Sequence, residues 1–180
     1  MIEIAGAAQR AFTFPADLST TCAYFGDFRR VINLLPHIRL VRAHGANQFR
    51  VLYHTVELGL YDVRIYCDLQ ARLDPRRPVL RVMPAEGQLP VKARVTLTSL
   101  TAAGRYQSTS EFHAAGRETQ VNYRLTLNAR LPKPLGLQLI SDRAIERIAH
   151  SIVSWRIHEI ADGFIERSIA DFEKKHRRRR

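Results

Sequence analysis

Three groups of residues in this 180-residue chain are of types and spacings that could do chemistry. His158-Glu159 with Asp162 sets an imidazole and a carboxylate four residues apart, the spacing by which a helix presents two ligands to zinc. On a helix these side chains would project opposite Ile145, Ile148 and Ile152, and the sequence offers no third ligand, so the pair reads as an exposed i, i+4 contact. Glu146 and His150 stand one turn apart at the edge of the same apolar stripe, where they would make an acid/base pair reaching a cavity. His54 is the other imidazole whose strand could turn it inward. The third group is hydroxylic. If Tyr106 and Phe112 point inward, Ser108 and Ser110 go with them. With Tyr61, Tyr123 and Tyr53 they would orient a ligand by hydrogen bonds inside an otherwise apolar enclosure. Alternatively, Ser108 and Ser110 make room beneath a helix for Trp155 and bond to nearby backbone.

Hydroxyls alone supply no base near neutral pH, so a cyclase-type reaction would need an inward histidine or carboxylate, for which His54 and His150 are the candidates. The sequence has no G-x-x-x-x-G-K-[ST], G-x-G-x-x-G, C-x-x-C or G-x-S-x-G pattern. Nucleotide binding, structural zinc and the commonest serine-hydrolase arrangement therefore lack their signatures, and no cofactor is expected.

Such groups must be positioned by a sheet. From Leu60 to Leu73 the apolar residues Tyr61, Val63, Ile65, Cys67, Leu69, Ala71 and Leu73 alternate with polar ones, which predicts a long half-buried strand. The same alternation runs through Val91, Ala93, Val95 and Leu97, and again from Val121 through Tyr123 and Leu125 to Leu131. Shorter strands are predicted at residues 9–14, 37–43, 48–57, 79–83 and 106–114, with turns at 44–47, 74–78, 102–104 and 115–116. Strands with one wet face joined by short turns imply an antiparallel meander.

Helical periodicity is confined to the two ends. Asp17 is placed to cap a short helix reaching Phe25, and Phe28 to Leu35 reads as a second helix stopped by Pro36. From Ser141 or Asp142 a long helix over 142–162 carries Ile145, Ile148, Ala149, Ile152, Val153, Trp155 and Ile160 as its apolar stripe. It is the one large element able to cover the sheet. Past Gly163, where a bend is cheap, Phe164, Ile165, Ile169 and Phe172 form a second stripe. This runs into Lys174-Lys175-His176-Arg177-Arg178-Arg179-Arg180, which holds six of the eleven net positive charges. An apolar face beside such a cluster suits an anionic membrane surface; packing of the same residues on the opening helices, or on a twin subunit, is the alternative. Two distant cysteines, no N-x-[ST] sequon, no signal-like start and no long apolar run favour a cytoplasmic protein, with peripheral membrane association as a variant.

Residues 12 to 42, FTFPADLSTTCAYFGDFRRVINLLPHIRLVR, resemble the opening strand, paired short helices and Leu-Pro junction of the START/Bet v 1-like (SRPBCC) superfamily. The segment LPKPLGLQLISDRAIERIAHSIVSWRIHEIADGFIERSIADF is similar to the end of an uncharacterised cyanobacterial and plastid branch of it. The resemblance implies an α+β helix-grip fold over residues 1–173: a curved antiparallel sheet of about seven strands, two short N-terminal helices and a long C-terminal helix across the sheet. Residues 174–180 would form a basic disordered tail. It also implies a cavity between sheet and helix for a lipid, quinone or polyketide-like molecule. Combined with strand parity, the expected lining is Ile65, Cys67, Val95, Ser108, Ser110, Tyr123, Leu125, Ile148, Ile152 and Trp155. Non-catalytic binding or transport is the reading the inner faces favour. A polyketide cyclase/dehydratase is the alternative, and a ribosome, RNA or membrane module using the basic end is the third. Ser110→Phe is then expected to lower affinity for the ligand while leaving far-ultraviolet circular dichroism intact, because added volume competes for the same space; unchanged affinity places the ligand elsewhere.

Overall fold

The computed structural model describes residues 1–59, 61–133, 135 and 140–177, so Leu60, Pro134, Gly136, Leu137, Gln138, Leu139, Arg178, Arg179 and Arg180 lie outside the described residues. The chain runs as β1 (Ile2–Phe14), α1 (Leu18–Gly26), α2 (Phe28–Val31) with a 3₁₀ turn (Ile32–Leu34), and β2 (Ile38–Ala43). It continues with β3 (Gln48–Glu57), β4 (Tyr61–Asp74), β5 (Val79–Pro84), β6 (Arg94–Val95), β7 (Ser99–Ala115), β8 (Glu118–Leu131) and α3 (Asp142–Arg177). One open sheet has the order β1-β8-β7-β5-β4-β3-β2, with β6 added on β7. All its ladders but one are antiparallel, and the first strand pairs with the last from Ile2↔Leu131 to Phe14↔Thr119. β5 is short, so beyond its end β4 and β7 meet directly and in parallel, Asp62–Tyr66 against Ser99–Ala103. The α+β architecture with one long terminal helix across the sheet is the one the sequence predicts. No helix among the described residues is long and apolar enough to cross a membrane.

Several local expectations are corrected. The strand expected at residues 91–98 shrinks to Arg94–Val95. The chain ahead of it leaves β5 with a last ladder bond from Ala85 N–H to the Asp68 carbonyl (2.8 Å) and is then held by the Arg50 guanidinium, which donates to the Leu89 carbonyl (2.6 Å). The alternation of Val91 to Leu97 is thus that of a strap, and Leu97 is exposed. Ala102 to Gly104, expected as a turn, lie inside β7, and β1 starts at Ile2, seven residues early. Small residues concealed both: at Gly104 an added Cβ would sit 2.6 Å from Ile65 Cγ2, so the glycine is there for close packing.

The helix caps follow the expected chemistry. The Asp17 carboxylate accepts from the Thr20 N–H (2.9 Å) and opens α1. Asp27 does the same for α2 through Arg30 N–H (3.3 Å), and the chain turns extended at Leu35 before Pro36.

α3 extends well past residue 162, and 36 residues give it a length of about 54 Å. Its buried face is Ile145, Ile157, Ile160, Ala161, Phe164 and Phe172. Trp155, expected on that face, is 58% exposed and lays the Arg156 guanidinium over its ring at 4.3 Å. It lies two residues from Ile157, about 200° around the helix, and the broad spacing of the sequence stripe hid that offset. The helix passes uninterrupted through Gly163, whose role is contact: a Cβ there would be 2.5 Å from Pro36 Cγ. Phe164 and Phe172 form no second free stripe. Phe172 packs on Phe14 (4.9 Å between centroids) and Tyr24 (5.6 Å), and Phe164 on Tyr123 (5.3 Å). The opening helix therefore covers them, the packing alternative to a membrane-facing stripe. Lys174, Lys175 and His176 continue the helix, with Lys175 paired to Asp171 (3.4 Å).

Phe172→Ala should cost about 3–5 kcal/mol in urea unfolding, whereas Trp155→Ala should cost less than about 1 kcal/mol. Comparable losses would contradict this helix orientation.

Candidate functional site

Beneath the first half of α3 lies an apolar cavity of about 340 Å³. Period two on the strands builds its floor: Tyr61, Val63 and Ile65 from β4, Leu100 from β7, Leu127 from β8, and Ile2 and Ile4 from β1. The roof is Ile145, Ala149, Ile152 and Val153, one turn apart on α3. Gly6 brings β1 close to the helix, since a Cβ there would stand 2.9 Å from Val153 Cγ1. Three lining residues from three elements are also largely exposed and mark the mouth: Leu58 (74%), Leu97 (72%) and Ile148 (49%). Leu58 sits at φ 53° in the β3–β4 turn, a left-handed position where Gly or Asn is the ordinary occupant, so an apolar side chain is held at the rim against backbone preference.

The wall has one charged cluster. Arg156 donates from Nε to Glu57 Oε1 (2.9 Å), from a terminal nitrogen to Glu57 Oε2 (3.3 Å), and from the other to Glu159 Oε2 (2.7 Å). His37 Nε2 lies 3.1 Å from Glu159 Oε1 on the far side. Glu57 and Arg156 line the cavity, and their side chains are about 15% exposed. Burial opposes the charge on Arg156, but the bonds to Glu57 and Glu159 outweigh it and hold the guanidinium above its ordinary value. At Glu159 burial pushes the carboxyl up, yet Arg156 and His37 win and leave it below the usual range. Burial raises the Tyr53 phenol well above its ordinary value, so it stays protonated. Tyr61 donates to the Ser99 carbonyl (3.3 Å).

The residues expected from sequence are distributed as follows. Ile65, Ile148 and Ile152 line the main cavity. Cys67 and Leu125 line a smaller void of about 20 Å³ that shares Tyr53, Leu127 and Ile160 with it. Burial pushes the Cys67 thiol up to about 12, which makes it a packing group. Ser108, Ser110 and Tyr123 are buried, as parity requires, but lie outside both linings; Tyr123 and Tyr106 hydroxyls are 3.1 Å apart. Val95 is half-buried on β6, and neither it nor Trp155 reaches the cavity. His54 and His150 are exposed, His54 lying 3.2 Å from Asp62. Arg10 engages both members of the helix pair, with Nε 2.6 Å from Asp162 Oδ1 and a terminal nitrogen 3.1 Å from His158 Nδ1. Glu57 and Arg156 were missed. The signal was present: the parity of Val51, Tyr53 and Thr55 carries Glu57 inward, and an inward carboxylate needs a cation from the helix above.

No family model and no curated protein matches the sequence. Among solved structures, the chain is similar to the ZhuI aromatase/cyclase from Streptomyces sp. R1128, at 12% identity over 95% of each chain and a TM-score of 0.57. It is similar to a conserved protein from Geobacillus kaustophilus at 9% identity, covering 93% of this chain and 95% of that one, with a TM-score of 0.55. The di-domain aromatase/cyclase StfQ of the steffimycin biosynthetic pathway matches at 11% identity over 96% of this chain and 52% of its own, with a TM-score of 0.54. At such identities the likeness is one of fold: an antiparallel sheet with a long C-terminal helix across it, the helix-grip architecture.

Removing Arg156 strands the half-buried Glu57 carboxylate, and removing Glu57 leaves Arg156 with Glu159 alone. Glu57→Leu and Arg156→Leu should each destabilise by about 2–4 kcal/mol, and the double variant by less than their sum. Additive losses in chemical denaturation would show that the two side chains do not act as a pair.

Proposed function

We propose that the protein binds an apolar small molecule in the cavity under α3 and holds it without chemical change. The observation that carries this reading is the cavity itself. Its size falls within the several hundred Å³ usual for small-molecule sites, and its wall is aliphatic apart from one ion pair and two tyrosines. Closed cores of close-packed protein tolerate few voids larger than a water molecule, so an apolar space of this volume with an apolar mouth is one that a ligand would complete.

The absence of chemistry rests on the same wall. Among the described lining residues, the ionisable ones are Glu57, Arg156, Tyr53 and Tyr61. Glu57 and Arg156 neutralise each other, both phenols are raised by burial, and the two candidate imidazoles face solvent. The aromatase/cyclase fold neighbours favour the catalytic alternative, which the same experiment addresses.

Wild-type protein should enhance the fluorescence of N-phenyl-1-naphthylamine, an uncharged apolar probe. Ala149→Phe, which places a ring in the void, should weaken that binding about ten-fold without lowering the melting temperature. Unchanged probe affinity in this variant would move the ligand elsewhere, and turnover of a poly-β-ketone thioester by wild-type protein would replace carriage with catalysis.

A further inference from the structure

Resting on the reading of the cavity as a ligand site, we infer that it selects uncharged molecules bearing a carbonyl or hydroxyl group and excludes carboxylates, with Glu57 enforcing the choice. Arg156 is the one cation among the described residues of the wall. A guanidinium captures a carboxylate through a fork of two parallel N–H groups, and that is how it would hold an acidic ligand. Here the fork made by Nε and one terminal nitrogen is closed by Glu57, at 2.9 and 3.3 Å. The other terminal nitrogen donates to Glu159 at 2.7 Å. Two carboxylates thus face one guanidinium, and His37, which approaches Glu159 from behind, does not line the cavity.

An anion entering this space would surrender its hydration to an aliphatic wall, with its natural partner taken and a carboxylate beside it. A ketone, quinone, ester or alcohol asks for less. A guanidinium carries five N–H donors, and three are used; a neutral acceptor needs only one of the remaining two. The protonated Tyr53 phenol belongs to the same wall. Glu57 therefore does more than hold the helix to β3: it fills the position a ligand carboxylate would take.

The test is displacement of bound N-phenyl-1-naphthylamine at about pH 8, above the ordinary histidine range. Competitors are 1-dodecanol, methyl dodecanoate and sodium dodecanoate below its micellar concentration. Dodecanol and the ester should displace the probe from wild-type protein at concentrations at least about ten-fold lower than dodecanoate. Because an ionised chain is disfavoured in any apolar site, the decisive comparison is between proteins. Glu57→Gln keeps the shape and removes the charge, and should strengthen dodecanoate binding at least about five-fold while leaving dodecanol within about two-fold. Glu159→Gln, away from the wall, should shift dodecanoate the same way by less, and serves if Glu57→Gln does not fold. Equal displacement by dodecanol and dodecanoate in wild type, or parallel changes for both competitors in the variants, overturns the selectivity while leaving the cavity a binding site. Failure of the probe and of dodecanol to bind wild-type protein overturns the binding reading and the selectivity together.

Discussion

One stiff helix has to cover a sheet on which it is held unequally along its length, and the rest of the structure depends on that constraint. In its second half α3 is fastened by aromatic packing, with Phe172 against Phe14 and Tyr24, and Phe164 against Tyr123. Pro36 abuts it at Gly163, where no side chain intervenes. In its first half the residues facing the sheet are Ile145, Ala149, Ile152 and Val153, set over Ile2, Ile4 and Leu127. Aromatic rings span the gap at one end, and these shorter side chains do not fill it at the other. A straight rod cannot dip to close the difference, so the space stays.

On one side of that space β1 packs directly on the helix at Gly6, and on the other the tie between sheet and helix is electrostatic. Glu57 ends β3 just before the strained Leu58 turn, and Arg156 rises from the middle of α3 to meet it. A buried pair of this kind contributes little net stability, because desolvation offsets most of the attraction. Its geometry agrees with the apolar packing of Ile157, Ile160 and Phe164: the same helix rotation that buries them brings Arg156 to Glu57 and leaves Trp155 outward. The same pair supplies the principal charged feature of an otherwise aliphatic wall, so the structural tie and the chemical character of the site are one interaction.

Much of this was legible in the sequence, for identifiable reasons. Period two over Tyr61 to Leu73 and Val121 to Leu131 is strong because large apolar residues repeat without interruption, and β4 and β8 follow it with inward residues as read. Asp17 and Pro36 gave the ends of the short helices through their local chemistry. The errors fall where a residue is small or long. Gly6 and Gly104 hide strands because they are there for close approach, and they and the small Ala102 carry no pattern. On α3 a stripe several residues wide took in Trp155, which tertiary contact instead turns to solvent. Ser108 and Ser110 were correctly turned inward, yet inward is a broader category than cavity-lining, and depth beneath the helix is set by packing of non-adjacent strands. Glu57 and Arg156 were each visible, but their pairing spans 99 positions and needed the fold.

The central claim is that a ligand occupies the space between the first half of α3 and the sheet. It is tested most directly by nuclear Overhauser contacts between 1-dodecanol and protein labelled with ¹³C in its isoleucine, leucine and valine methyl groups. The account predicts cross-peaks from the alkyl chain to Ile4, Ile65, Ile152 and Val153, the methyl groups of floor and roof. Cross-peaks confined to exposed methyls such as those of Val41 and Val56, with Ile65 silent, would contradict it.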